Sequence, residues 1–384
     1  MRSRLIAIII ISLLRIYALF LYKDTFRKEE VNRILVYAYT GLGNFIMFTP
    51  ALKKLREAFP EAHIVLQAGN DWGAEEAVRG SGIIDEVVWF RPSSGWLKLL
   101  KWLRKIRKEG YDLIISSFDS SFPIQTCLSG ARYRVGHISG DGYHNPFDFV
   151  YNIKVPVAAG RHEIDLKSDL LAALGEEVND KTLFFFIDEA SQRSAELLLE
   201  KHGLSGKDYI CLQPGAANML LTAKRWDIEK FVTLVNRITD EMGIDIVLLG
   251  DKNEMVIGEF FLGGVAQGQK IHPLFGETTV KEVAAIIQNS KLLLCNDSGL
   301  MHVAVAVGTP LVAIYGPTDY RRTAPRSEKA TIIRQDMPCS PCIQFGGEKK
   351  ARECKHWNCM NGISVEEVLA AVSVKLNGVK RGSQ

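Results

Sequence analysis

The chain has 384 residues, 47% hydrophobic and 24% charged, a length that at about 150 residues per domain gives two domains with cores of their own. Its 32 glycines and 13 prolines are scattered and no heptad pattern is sustained, which excludes collagen, coiled coil and wholesale disorder. The net charge of +3 excludes a global nucleic-acid footprint, because residues 1–33 alone carry a net +4 and the remainder a net −1.

That basic tip holds the first element. Leu5 to Leu14 reads LIAIIIISLL, and IYALFLY follows Arg15. The run from Leu5 to Tyr22 just meets the floor of about 18 apolar residues for a membrane span. An arginine near a bilayer centre costs about 2.5–3.5 kcal/mol. On a helix, Arg4, Arg15 and Tyr22 fall within about 20° of one another, a narrow polar stripe that suits a helix lying in the interface, with a shallow span as the alternative. A cleaved signal peptide and a buried core helix are the competing readings. No small-x-small cleavage site follows the apolar core, and positive charge continues downstream. The expectation is a membrane-associating segment over 1–30 that keeps the body on the cytoplasmic face of the inner membrane.

From residue 34 onward, short apolar runs alternate with helical patterns. Strands are predicted over 34–39, 63–69, 86–90, 112–118 and 133–137, with helices at about 45–58, 72–81, 95–109 and 121–129. After two helical patterns around the polar break 175–181, strands are predicted over 209–215, 245–250, 271–276, 292–297 and 311–316. Helices fit 226–242, 253–261, 279–289, 299–307 and 364–377. Continuous apolar strands separated by helices predict parallel sheets covered on both faces. The reading is α/β: two doubly wound Rossmann-like domains facing a cleft, over 31–175 and 176–363, with a C-terminal helix and tail over 364–384. Ligands are expected at the carboxyl ends of the strands.

The chemistry-bearing motifs lie at those ends. The first strand leads into Thr40-Gly41-Leu42-Gly43-Asn44, where small residues let a helix start approach a ligand. The third glycine of a dinucleotide fingerprint is missing and no acidic residue closes the second strand, which argues against NAD binding. In the second half, Pro214-Gly215-Ala216 ends a strand and Lys224-Arg225-Trp226 precedes a helix. Two cations near a glycine loop suit phosphate, Lys as a point charge and Arg as a fork; a solvated basic pair is the bland alternative. Asn296-Asp297-Ser298-Gly299 closes another strand, and there Asp297 is either a ligand-binding carboxylate or a plain helix cap. His302, four residues past Ser298 on a small-residue helix, reads as a structural histidine rather than a proton shuttle.

Cys339-x2-Cys342-x11-Cys354-x4-Cys359 gathers four of the seven cysteines. The spacing leaves three readings open: a structural zinc or iron–sulfur site, disulfides, or unliganded thiols. Cys127, Cys211 and Cys295 sit in strand or helix contexts and read as core. Lys349, Lys350, Arg352 and Lys355 beside the cluster can meet anionic lipid or acceptor phosphate.

Together, G-L-G-N-x4-T-P-A-L at 41–52, R-E-A-F-P at 56–60, PGA with KRW at 214–226, and NDSGLMHVAVAVGTPLVAIYGPTD at 296–319 resemble glycosyltransferase family 9, the ADP-heptose:lipopolysaccharide heptosyltransferases. The resemblance runs through almost all of 33–375. It implies the two-domain GT-B fold and inverting transfer of heptose from ADP-heptose to a hydroxyl of a lipid-linked glycan acceptor, with no cofactor required and no nucleic-acid partner. It puts the acceptor on the N-terminal domain and the nucleotide on the C-terminal one. By position, Lys224 meets donor phosphate or the transition state, with Arg225 beside it, and Glu254 takes the ribose hydroxyls. Asp297, Ser298, Gly299 and the backbone near His302 receive sugar and diphosphate, with Thr318 as a further contact. Relatives have similar Cys-rich C-terminal segments.

One departure stands out. Asn44 occupies the position where the family commonly carries Asp, the expected general base. An amide can orient a hydroxyl but cannot take its proton. Asp119, at the end of the strand 112–118, is the first substitute and Asp141 the second. Asn44 therefore also raises a non-catalytic glycan- or nucleotide-sugar-binding homologue as the alternative, with a nucleotide-sugar epimerase behind it.

Overall fold

The computed structural model describes every residue except 1–10, 19, 21–24, 39, 70–72, 91–94, 120–121, 216–221, 346–350, 352 and 382–384. The chain divides into two compact units, Met1–Thr182 and Leu183–Gln384. The polar break 175–181 falls at the end of the first.

In the first unit, six parallel strands form one sheet: β1 (Arg33–Tyr37), β2 (His63–Ala68), β3 (Glu86–Trp89), β4 (Leu113–Ser116), β5 (Tyr133–Ile138) and β6 (Ile153–Pro156). Their order is β3-β2-β1-β4-β5-β6. Ile34, Leu35, Val36 and Tyr37 are all fully buried, as a strand sandwiched between helix layers must be; each such side chain contributes about 1.5–3 kcal/mol by burial. The crossovers carry α1 (Leu42–Ile46) and α2 (Thr49–Ala58), then α3 (Trp96–Glu109), α4 (Pro123–Leu128) and, after the sheet, α5 (Glu163–Ala172). The helix predicted over 45–58 is thus two, interrupted at Met47–Phe48 ahead of Pro50, and the one predicted over 72–81 shrinks to a 3-10 turn, Ala74–Ala77.

The second unit repeats the plan. Its strands are β7 (Tyr209–Gln213), β8 (Asp245–Leu248), β9 (Ile271–Pro273), β10 (Leu292–Asn296), β11 (Leu311–Tyr315) and β12 (Ala330–Arg334), in the order β12-β11-β10-β7-β8-β9. Its helices are α6 (Glu189–Lys201), α7 (Ile228–Met242), α8 (Met255–Gly264), α9 (Val280–Asn289), α10 (Gly299–Ala306), α11 (Tyr320–Thr323), α12 (Asn358–Asn361) and α13 (Val365–Arg381). Asp227 caps α7 through the Glu229 N–H, and Gly243, in the left-handed region at φ 64°, ends it. In both sheets the order reverses direction once, between β1 and β4 and between β7 and β10. At such a reversal adjacent loops leave toward opposite faces and open a crevice above the strand ends.

The apolar N-terminal segment is described only in part. Residues 11–18 are helical, and Leu14 is buried with Cys127, Val150 and Tyr151, while Leu13 and Ile16 are exposed. Among the described residues no helix is long and apolar enough to cross a membrane; residues 5–10, 19, 21 and 22 of the segment lie outside them, as do Lys349, Lys350 and Arg352.

Candidate functional site

At the first reversal, the loop after β1 meets the loop after β4. Gly41 is the N-cap of α1 in ordinary extended backbone (φ −68°, ψ 158°), so glycine supplies there, as at Gly43 in the first turn, only the absence of a side chain. Thr40 Oγ1 donates to Asp119 Oδ2 at 3.1 Å. The same oxygen accepts from Lys167 Nζ at 2.8 Å. Lys167, on α5, is 1% exposed in its side chain and also stands 3.7 Å from Glu163 Oε2. Its ammonium lies 5.1 Å from the Phe118 ring centroid, within cation–π range. Burial alone would raise the Asp119 carboxyl; the Lys167 charge and the hydrogen bonds from Lys167, Ser117 and Thr40 outweigh it and hold Asp119 below the usual carboxylate range. Its second oxygen, Oδ1, is buried and has no hydrogen-bond partner among the described residues.

His137 fixes this arrangement from below. The Phe118 N–H donates to Nδ1 at 3.2 Å and Nε2 meets Leu166 O at 2.8 Å, so the ring is the tautomer protonated on Nε2. Burial pushes its pKa down to about 4. It ties the residue before Asp119 to the residue before Lys167. Asn44, half-buried on α1, hydrogen-bonds to no described residue, and Asp141 is exposed in the turn after β5.

At the second reversal, Asn296, fully buried at the end of β10, clamps two loops. Its Nδ2 donates to Pro214 O (2.8 Å) and Gly215 O (3.1 Å), and its Oδ1 accepts from the Trp226 N–H at 3.0 Å. Trp226 is anchored in turn through its indole N–H to Ile363 O at 3.1 Å. That clamp positions Lys224, whose Nζ lies 2.9 Å from Asp297 Oδ2 in a pair only 19% and 6% exposed. Burial pushes the Asp297 carboxyl up, but Lys224, Thr318 and His302 bring it below its ordinary value. Ser298 is the N-cap of α10, yet its hydroxyl donates to Gln213 Oε1 instead of capping, and Gly299 opens the helix. The first-turn N–H groups of α10 are thereby left to other acceptors. Asp297 is not a helix cap but half of a buried ion pair.

Glu254 follows β8 in a capping box: Asp251 accepts from the Asn253 and Glu254 N–H groups, and Glu254 Oε2 accepts from the Asp251 N–H at 3.1 Å. The other oxygen, Oε1, is buried without a hydrogen-bond partner among the described residues. It faces Gly215 so closely that a Cβ there would lie 1.8 Å from it. Burial raises the Glu254 carboxyl, partly offset by the Asp251 N–H and by the charge of Arg225. Gly215, Arg225 and Glu254 thus form one polar cluster, with an acceptor oxygen suited to a ligand hydroxyl.

The described part of the cysteine segment shows neither disulfides nor a metal-holding group. All seven cysteines are free thiols, which removes the disulfide reading, and among the described residues no group of three or more His, Cys, Asp or Glu is placed to hold a metal. Packing holds the cysteines in different surroundings. Cys359, buried with Met360 in the main core of this unit, lies under Gly316. Cys342 packs instead against Ala223, Ile343, Ala351 and Trp357, and Cys339 is exposed. Burial, and after it the neighbouring Cys342, Cys354 and Cys339, push the Cys359 thiol up to about 11.

Sequence reasoning passed over Lys167, Glu163 and His137. A signal for Lys167 was present: at i+4 from Glu163 and three before Leu170, it shares the apolar stripe of α5. The role of Asn296 has no local signal, since all its partners are distant in sequence.

Residues 99–351 match the family model for glycosyltransferase family 9 (heptosyltransferase). The chain is 27% identical over 342 residues to lipooligosaccharide heptosyltransferase 2 of Campylobacter jejuni, covering 88% of this chain and 96% of that protein. It is 25% identical to lipopolysaccharide heptosyltransferase 3 of Escherichia coli over 72% of this chain and 82% of that one. Among solved structures, a glycosyl transferase of family 9 from Veillonella parvula superposes with a TM-score of 0.72 at 24% identity, covering 90% of this chain and 97% of the other. The E. coli ADP-heptose LPS heptosyltransferase II gives 0.70 at 20% identity, covering 91% and 99%.

Proposed function

Because the chain belongs to glycosyltransferase family 9, we propose that it is an inverting heptosyltransferase that moves heptose from ADP-heptose to a sugar hydroxyl of the lipopolysaccharide core. The observation that carries this reading is the buried Lys224–Asp297 pair at the β7/β10 reversal, 2.9 Å apart beside the Gly215 loop. A half-buried ammonium already desolvated and held by a carboxylate is poised to receive diphosphate oxygens, because little reorganisation remains when charge develops on the leaving group. Relatives named heptosyltransferases over most of the chain support the donor sugar.

In this account the second unit takes the donor. Glu254 Oε1 accepts a ribose hydroxyl, Lys224 and Arg225 meet the diphosphate, and the first turn of α10 with Ser298 and Gly299 receives phosphate or sugar oxygens. Asp297, with Thr318 and His302 beside it, keeps Lys224 oriented. The first unit takes the acceptor. The acceptor oxygen bonds to the anomeric carbon as the bond to ADP breaks, and the hydroxyl proton passes to a carboxylate. Asp119 is assigned that proton: Lys167 keeps it ionised, and its Oδ1 has no other partner among the described residues. Asn44 orients the hydroxyl. A low-pKa carboxylate is a modest base, but it accepts the proton late, when the oxygen has become strongly acidic. No metal enters this scheme. The segment 1–30 holds the enzyme at the cytoplasmic face of the membrane where a lipid-linked acceptor resides.

Calorimetric titration with ADP-heptose, ADP and a UDP-sugar tests the donor half without needing an acceptor. Selective binding of the two adenine nucleotides is expected. Binding of the UDP-sugar alone would discard heptose, and no binding to any of them would leave a non-catalytic homologue.

A further inference from the structure

We propose that helix α3 is the surface by which this chain docks on an anionic lipid bilayer. Its sequence, WLKLLKWLRKIRKE, holds six cations and one carboxylate, a net +5 in a chain whose total is +3. The helix is fixed in orientation. Leu103 and Ile106 are buried, the Trp102 ring stacks on Phe90 at 5.2 Å, and its indole N–H lies 3.1 Å from both Gln67 Oε1 and Gln125 Oε1. At 100° per residue, Leu97, Lys101, Arg104 and Lys108 then fall within about 30° of the direction opposite that buried stripe. All four are exposed, with Lys98, Leu100, Lys105 and Arg107 flanking them.

The cations of this face are set apart within their unit by their density. Elsewhere in it, Lys53, Arg56, Arg161 and Lys181 each pair with a carboxylate. On α3, Glu109 is taken by Arg33 at 2.8 Å, and none of the six cations is paired with a carboxylate among the described residues. Unpaired cations in such density repel one another and raise the free energy of the helix unless an anionic partner covers them. The apolar residues among them choose the partner. Leu97 is 61% and Leu100 39% exposed, and Trp89, next to the Phe90 that stacks on Trp102, is 48% exposed. A phosphate backbone would engage the cations and leave these three in water. A bilayer takes the leucines into the acyl boundary, the indole at the headgroup level and the cations among the phosphates.

Continuity supplies the second argument. Helix α4 touches α3 through Gln125, and its Cys127 thiol meets Leu14 O of the helical segment 11–18 at 3.9 Å. That segment exposes Leu13 and Ile16, with Phe20 just beyond it. An apolar element and a cationic element thus flank the same short helix.

The experiment is co-sedimentation of the full chain with phosphatidylcholine vesicles and with vesicles carrying phosphatidylglycerol, at low and high salt. The wild type is expected to favour the anionic vesicles, and to lose that preference at high salt. The triple variant Lys101→Glu, Arg104→Glu, Lys108→Glu should lose at least ~10-fold in partitioning to anionic vesicles with no change on neutral ones. Leu97→Ser with Leu100→Ser should weaken binding while keeping the salt dependence. Unchanged melting and circular dichroism establish that the variants fold. Undiminished anionic-vesicle binding by the folded triple variant overturns the proposal, as does equal loss on both vesicle types. Preference for duplex RNA over anionic vesicles at matched salt does so too. No donor or acceptor is present, so the outcome is independent of the transferase reading.

Discussion

Replacing Lys167 with methionine keeps the length of the side chain and removes only the charge, so little cavity forms. What remains is electrostatic. The Nζ of Lys167 lies 2.8 Å from Asp119 and 3.7 Å from Glu163, and the side chains of the three are 1%, 11% and 4% exposed. Without the cation, two carboxylates are left buried together. Breaking a buried pair by removing one partner costs about 3–5 kcal/mol, a large share of the roughly 5–15 kcal/mol that holds a domain folded. The pH dependence gives the sharper signature. In the wild type the folded Asp119 carboxyl sits below its unfolded value, so its stabilising contribution is present above that unfolded value and is lost as pH falls through the folded one. In the variant only the Ser117 and Thr40 hydrogen bonds still oppose burial, so the same carboxyl rises from its wild-type position and protonation relieves the strain as pH falls. The deficit of Lys167→Met relative to wild type should therefore shrink on acidification. Hydrogen exchange of the α5 amides reads this unit separately from the other. A deficit below about 1 kcal/mol, or one that does not change with pH, would refute the reasoning.

The remaining predictions concern turnover and donor binding. Asp119→Asn should lower kcat by about 10²–10⁴ while leaving ADP binding by calorimetry unchanged; near-normal turnover would remove Asp119 as the base. Lys224→Ala should weaken donor binding or turnover at least ~10-fold with the fold intact, and unchanged steady-state kinetics would remove its phosphate role. Glu254→Gln preserves the backbone capping contact and relieves a buried charge, so the apo protein should melt no lower than wild type while ADP affinity falls; a lower melting temperature with unchanged affinity would make Glu254 purely structural. Gly215→Ala drives a Cβ into Glu254 Oε1 and should produce the same loss of nucleotide affinity.

Where burial was complete, the sequence was readable. β1, β4, β7, β10 and β11 are continuous apolar runs because parallel strands are covered on both faces. The edge strands β6 and β12 escaped notice: β6 has exposed positions at Lys154 and Pro156 beside a half-buried Ile153 and a buried Val155, and β12 is only half-buried throughout, so neither shows a strand-length apolar run. Asp119, Glu254 and Asp297 could be placed at strand ends from their positions alone. What the chain order hides is which distant side chains meet them. Lys167 reaches Asp119 across 48 residues and Asn296 reaches the Gly215 loop across 81, and such partnerships follow from the strand order rather than from spacing. The cysteine spacing could not choose among its readings: free thiols remove the disulfides, while the spacing does not reveal that Cys359 also packs in the core.

The central claim is sugar transfer, and it is tested most directly by incubating the protein with ADP-heptose and a lipopolysaccharide core lacking its outer heptose, then weighing the acceptor and quantifying ADP. The account predicts a mass gain of one heptosyl residue on the acceptor, one ADP released for each residue transferred, and loss of both signals in Asp119→Asn. An unmodified acceptor in the presence of bound donor would contradict it, as would ADP release uncoupled from acceptor modification.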